Sequence, residues 1–214
     1  MTKRTGNFIH QISVFLLILF LIWPFLYVLS ASFKPLAELM TDPRFLPRDI
    51  TTRNYETLMR ITPQRNFHQI VKNYLFVGVF TALATLVISC FAAYGLSRNR
   101  KLATGIIPRS LLFIYVFPTI IIVVPIYQMM VQIGLYNNLV SLIIIYTALA
   151  APFCTWLLIS FFMTVPIQLE ESAQIDGAGW VTIFTRIILP LTAPGLLTVG
   201  MYAFILSWGE YLFA

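Results

Sequence analysis

Charge is scarce in this chain. Only 10% of its 214 residues are Asp, Glu, Lys or Arg, where soluble domains carry roughly 25%. Hydrophobic residues fill 59%. A compact body of this size could not cover its surface with so few charges, so the composition excludes an ordinary soluble domain and puts lipid around the chain. Cysteine and histidine are rarer still, at two each. Cys90 and Cys154 fall inside apolar runs and read as small hydrophobes, leaving neither a disulfide framework nor a zinc-type ligand set. His10 and His68 lie far apart without companion ligands and read as solvated residues, not metal ligands. The sequence has no G-x-x-x-x-G-K-[ST] phosphate loop. Its net charge of +6 sits in loops beside apolar runs, with no basic stripe interleaved with aromatics. Lipid headgroups account for that charge without nucleic acid.

Long apolar runs are abundant. No charged residue occurs in 11–33, 73–97, 110–169 or 187–209. About 20 apolar residues cross a bilayer as a helix, so the third run holds two crossings, parted by the polar turn 132–138 with Gly134 and the paired Asn137 and Asn138. This predicts an all-α, polytopic helix bundle with five spans at roughly 11–33, 73–97, 108–131, 139–163 and 188–212. The runs are continuous, not alternating, which excludes a barrel pattern. The first run follows Lys3 and Arg4 and ends near Ser30-Ala31-Ser32, as a signal peptide would. It is longer than a signal core of 7–15 residues and is kept as a span.

Orientation follows Lys and Arg. Segment 98–109 carries Arg98, Arg100, Lys101 and Arg109, and the turn 132–138 carries none. This places 98–109, the N-terminus and 164–187 in the cytoplasm. Segment 34–72 opposes it with seven basic residues, but it also holds Glu38, Asp42, Asp49 and Glu56, and longer loops translocate despite their charges.

Residues 164–194 depart from plain membrane helix. Pro166 can open a helix, and Glu170 and Glu171 follow where the helix dipole favours negative charge. Asp176-Gly177-Ala178-Gly179 supplies a turn, and a second helical stretch runs from near Trp180 toward Pro190. The pattern is a helix–turn–helix with Ile167, Ile175, Ile183 and Phe184 available to a partner. An amphipathic connector lying on the membrane surface would carry the same pattern, and the residues alone leave both readings open.

The spacing is more specific. It resembles the EAA loop of binding-protein-dependent ABC importer permeases, E-A-A-x3-G-x9-I-x-L-P, at Glu171, Ser172, Ala173, Gly177, Ile187, Leu189 and Pro190. Only Ser172, in place of the middle Ala, departs. Ser32-Phe33-Lys34, Asn54-Tyr55, Asn73, the run 92–98, Pro125-Ile126-Tyr127 and Ile133-Gly134-Leu135 resemble the maltose-transporter type in the same order. Such permeases continue past a Trp-Asn-Glu-like signature into a sixth span. Here Trp208-Gly209-Glu210 has Gly for Asn and the sequence stops at Ala214, so a C-terminally incomplete permease is expected.

The resemblance implies a non-catalytic permease subunit of an ATP-driven importer, multi-pass in a bacterial or archaeal plasma or inner membrane. Its solute would be a carbohydrate; the alternatives are an amino acid, a polyamine or a phosphorylated polyol. It divides the chain into 1–72, a span plus external loop, and 73–214, the permease domain with its coupling loop at 164–190. It implies a pair of ATPase subunits that bind the ATP, a second permease subunit and an extracytoplasmic solute-binding protein, with no cofactor or metal in this chain. Glu171, Ser172, Ala173, Asp176, Gly177, Ile187, Leu189 and Pro190 would couple to the ATPase. For Asp176, capping of the second helical stretch stands equally open. Tyr115, Thr119, Gln128, Tyr146 and Thr147 are polar within spans, and would face a solute path or pack between helices. A secondary transporter would show internal repeats and ionisable groups within its spans. A membrane enzyme would gather nucleophile, acid–base or metal groups. The sequence shows no internal repeat and no gathered catalytic set, and Glu210 is the only acid within or at the end of a span.

Overall fold

The computed structural model describes residues 2–60, 66–116 and 118–210, with side chains from His10 onward except that of Arg100. Every regular element among them is helical. The chain divides into two units, Met1–Gln69 and Ile70–Ala214.

The first unit opens with α1 (Thr2–Ser32), which carries Pro24 inside it. Its stretch His10–Ser32 is long and apolar enough to span, and none of it is buried within the chain. Two short helices follow, α2 (Leu36–Thr41) and α3 (Arg53–Met59). Two of the sequence's scattered resemblances meet here. Asn54 donates to the Ser32 and Lys34 carbonyls at 3.0 and 2.8 Å. The Ser32 and Tyr55 hydroxyls lie 2.6 Å apart, and the Phe33 and Tyr55 rings 5.5 Å. Lys34 is only 1% exposed; its ammonium donates to the carbonyls of Asp42, at 3.3 Å, and of Arg44. The Arg44 backbone N–H, and then the Arg44, Arg48 and Lys34 charges, hold the Asp42 carboxyl below its ordinary range against a partial desolvation.

The second unit is a bundle of α4 (Phe67–Ser97, entered from the first unit), α6 (Ile106–Val116), α7 (Thr119–Gln132), α8 (Leu139–Met163) and α12 (Ala193–Gly209), with α5 (Arg100–Ala103) between α4 and α6. Buried residues recur every fourth position. One such line runs through Val77, Thr81, Thr85, Ser89 and Ala93 on α4, another through Tyr146, Ala150, Cys154, Leu158 and Phe162 on α8, and a third through Gly195, Val199, Ala203 and Ser207 on α12. Most of these side chains are small. Lipid provides no hydrophobic drive between helices, so close backbone approach and dispersion hold such a bundle together. A Cβ placed on Gly195 would lie 2.5 Å from Phe161 Cγ. Gly195→Val should therefore force α8 and α12 apart, at about 1–3 kcal/mol for overpacking. A thermal melt of the purified protein would read this as a lower midpoint; an unchanged midpoint would mean the contact is slack.

Two predicted spans come out broken. The span over 108–131 parts at Pro118, which is extended (φ −62°, ψ 115°) at the start of α7, and α6 and α7 diverge by 88°. Phe117, beside the break, lies outside the described residues. The predicted span 188–212 bends by 79° between Trp180–Leu191 and Ala193–Gly209; its last two residues lie outside the described ones. Pro190 and Pro194 cannot donate into the helical ladder. At the bend the Ile188 carbonyl accepts from the Thr192 N–H at 3.0 Å and from its hydroxyl at 2.8 Å, and the hydroxyl also lies 3.3 Å from the Leu189 carbonyl. Among the described residues three continuous helices are thus long and apolar enough to span, and up to five spans result when each bent pair counts as one. The fourth runs over the predicted residues, Leu139–Met163, with the Asn138 side chain accepting from the Val140 N–H.

Candidate functional site

The loop after α8 builds the helix–turn–helix. Pro166 leads into α9 (Gln168–Ile175), with Glu170 and Glu171 in its first turn. The helix closes in a Schellman arrangement: the Gly177 N–H donates to the Gln174 carbonyl at 3.0 Å and the Ala178 N–H to that of Ala173 at 2.9 Å. This requires a left-handed residue, and Gly177 has φ +85°. The second stretch is α10 (Trp180–Ile183), a π turn over Phe184–Ile188, and α11 (Leu189–Leu191).

The adjacent carboxylates of α9 face opposite ways. Glu171 is exposed. Glu170 is 5% exposed, and its carboxylate takes an ion pair from Arg98 at 2.5 Å and a hydrogen bond from the Tyr94 hydroxyl at 2.6 Å. Arg98 also donates to the Phe162 carbonyl at 3.0 Å and lies 5.1 Å from the Tyr94 ring centroid. Around this cluster Tyr94 packs edge-on to Phe162 and Phe184, and Phe184, Phe91 and Trp180 each stack on the other two. One charge pair and one aromatic group thus fasten the loop to the ends of α4 and α8. Removing one member of a buried pair strands the other charge, at about 3–5 kcal/mol.

Several expectations change. Ile183 and Phe184 are 1% and 5% exposed and offer no partner surface; Phe184 packs against Phe91 and Tyr94. Ile167 and Ile175 stay exposed, and Leu169 joins them. Asp176 does not cap the second stretch: Gly179 holds that position, and Asp176 is the C-cap of α9. Among the motif positions, Glu171, Ser172, Asp176, Gly177 and Pro190 are exposed, whereas Ala173, Ile187 and Leu189 pack against the chain's own core. The sequence reading missed the cluster itself. Arg98 counted there as an orientation charge and within a resemblance, Tyr94 only within that resemblance and Glu170 only as a helix-start acid. A signal existed: Glu170 and Ala173 are three apart, so they share a face of α9, and the small Ala marks that face as the packed one.

The path residues do not converge. Tyr115 and Thr119 line one hollow of about 320 Å³ that Glu210 also lines. Tyr146 lines another of about 320 Å³ with Asn73, Tyr74 and Ser207. Thr147 is buried and Gln128 is exposed outside both. Among the described residues no His, Cys, Asp and Glu gather as a metal site.

Known proteins with these features are transporter subunits. Residues 85–214 match the family model of the binding-protein-dependent transport system inner membrane component. The chain is 32% identical to the sulfoquinovosyl glycerol transport system permease protein SmoH of Agrobacterium fabrum, covering 98% of this chain and 73% of that one. It is 32% identical to the trehalose/maltose transport system permease protein MalG of Thermococcus litoralis, covering 95% and 72%. Its fold is similar to a chain in the crystal structure of a bacterial ABC transporter involved in the import of the acidic polysaccharide alginate, with a TM-score of 0.73 over 99% of this chain and 73% of that one, at 24% identity. With the loop's matched spacing, a bundle of apolar helices and relatives along almost its whole length, the chain belongs to the family of binding-protein-dependent transport system inner membrane components.

Proposed function

We propose that this chain is a non-catalytic permease subunit of an ATP-driven importer of a carbohydrate, and that residues 164–190 are the part an ATPase subunit grips. The observation that carries this is α9: a short helix with Glu171 and Ile175 exposed on the face turned away from a buried ion pair, and Ile167 and Leu169 exposed beside it. Exposed apolar side chains beside a single carboxylate suit a groove with apolar walls and a basic group. ATP would be bound by two such ATPase subunits, and a second permease subunit and an extracytoplasmic binding protein would complete the path. The basic segment 98–109 and the loop 164–190 would face the cytoplasm with the N-terminus, and the turn 132–138 the outside. A carbohydrate is favoured because the similar proteins named above carry sugar solutes in their names. Solute contacts fall to the hollows that hold Tyr115 and Thr119, and Tyr146.

Co-expression with ATPase, second-permease and binding-protein subunits from the same genome tests this. The ATPase should co-purify in detergent, and disaccharides or glycosyl glycerols with the binding protein should stimulate ATP hydrolysis. Stimulation by amino acids or polyamines instead would sink the sugar reading. Absence of any co-purifying ATPase would sink the importer reading.

A further inference from the structure

Resting on that reading, we propose that Glu170 is a positioning residue: through Arg98 and Tyr94 it locks α9 to α4 and α8, so that movement of the loop reaches the far ends of these spans.

Two carboxylates stand side by side in α9, and only one is turned inward. An inward acid is a poor choice for packing alone. Apolar residues of similar volume often hold a buried site as well as or better than an ion pair. What the ionic arrangement adds is direction. The Glu170 carboxylate receives Arg98 on one oxygen and the Tyr94 hydroxyl on the other. Arg98 in turn reaches the Phe162 carbonyl, in the last turn of α8. One side chain of α9 therefore fixes its distance to two spans at once. Beyond the packing of the small Ala173 against the core, α9 is attached by the short connections 164–167 and 176–179, the second of which turns on Gly177. Without the cluster those connections would act as joints, and a pull on α9 would be absorbed in the loop.

The test uses the assembled complex with its ATPase subunits, in a Cys90→Ala/Cys154→Ala background. A fluorophore is placed at Asn137→Cys, in the turn before α8 and so at the opposite end of that helix from the loop. ATP with orthovanadate traps the ATPases closed, and no solute is required. In the parent complex, trapping should shift the emission. With Glu170→Gln, which keeps the volume and an acceptor for Tyr94, the ATPases should remain bound and trap vanadate with an unchanged half-saturating ATP concentration. The shift at position 137 should fall at least about fivefold. A normal shift in Glu170→Gln, or no shift in the parent, overturns the proposal. If stranding Arg98 prevents assembly, Glu170→Gln/Arg98→Gln removes both charges. Assembly without the shift sustains the proposal, and assembly with it overturns it. Failure of both variants to bind ATPase also overturns it, because the cluster is then a requirement of folding. A parent chain that binds no ATPase fails the importer reading itself, a separate outcome.

Discussion

Glu171→Lys should release the ATPase subunits on purification and abolish transport, with the chain still inserted in the membrane. Glu171 is exposed on α9 and outside every span, so reversing its charge disturbs little within this chain. The local cost is a carboxylate lost from a helix start, about 0.3–1 kcal/mol. At a docked face the effect is much larger, since losing one partner of a buried interfacial pair costs about 2–5 kcal/mol, roughly 30- to 4,000-fold in affinity. Subunit stoichiometry after gel filtration reads the result, and a charge reversal on the ATPase that restores binding would establish direct pairing. Normal stoichiometry and transport would make Glu171 an ordinary solvated acid.

Gly177→Val should uncouple the complex. The residue has φ +85°, and a Cβ there would meet nothing within 4 Å. The whole penalty is therefore backbone strain, about 1–3 kcal/mol for a non-glycine residue held in such a region, and worst for a β-branched one. The chain would relieve it by opening the turn, breaking the Ala178-to-Ala173 bond and shifting α9 relative to α10. The open space predicts an order: Gly177→Asn mildest, because Asn tolerates the left-handed region, then Gly177→Ala, then Gly177→Val. Solute-stimulated ATP hydrolysis should fall in that order. Equal activity in all three would show that the turn is not required.

The spans were legible because their signal is run length. The turn 132–138 and the helix Leu139–Met163 came out where the polar residues and the apolar run put them. The turn at Gly177 was equally local. The break at Pro118 was not, because spans tolerate proline, and Pro24, Pro125 and Pro152 all remain inside helices here. The cluster was hidden for a different reason. Glu170 and Arg98 are far apart in the chain, and charge counting treats Glu170 and Glu171 alike; only the rotation of α9 separates them. Ile183 and Phe184 were misassigned because their burial depends on aromatic partners distant in the chain, Phe91 and Tyr94, which a local pattern does not show. The fourfold spacing of Thr81, Thr85 and Ser89 was present in the sequence as a packing signal. It went unread because long apolar runs draw attention to lipid rather than to neighbouring helices.

The central claim is that the loop 164–190 is held by the ATPase. Cross-linking tests it most directly. Glu171→Cys, in a Cys90→Ala/Cys154→Ala background and assembled with its partners in membranes, should give a covalent adduct with the ATPase subunit through a short thiol-reactive linker. Asn137→Cys should give none and should instead react with an impermeant thiol reagent added from outside. An ATPase adduct at position 137 with none at 171 would contradict both the coupling role of the loop and the orientation of the chain.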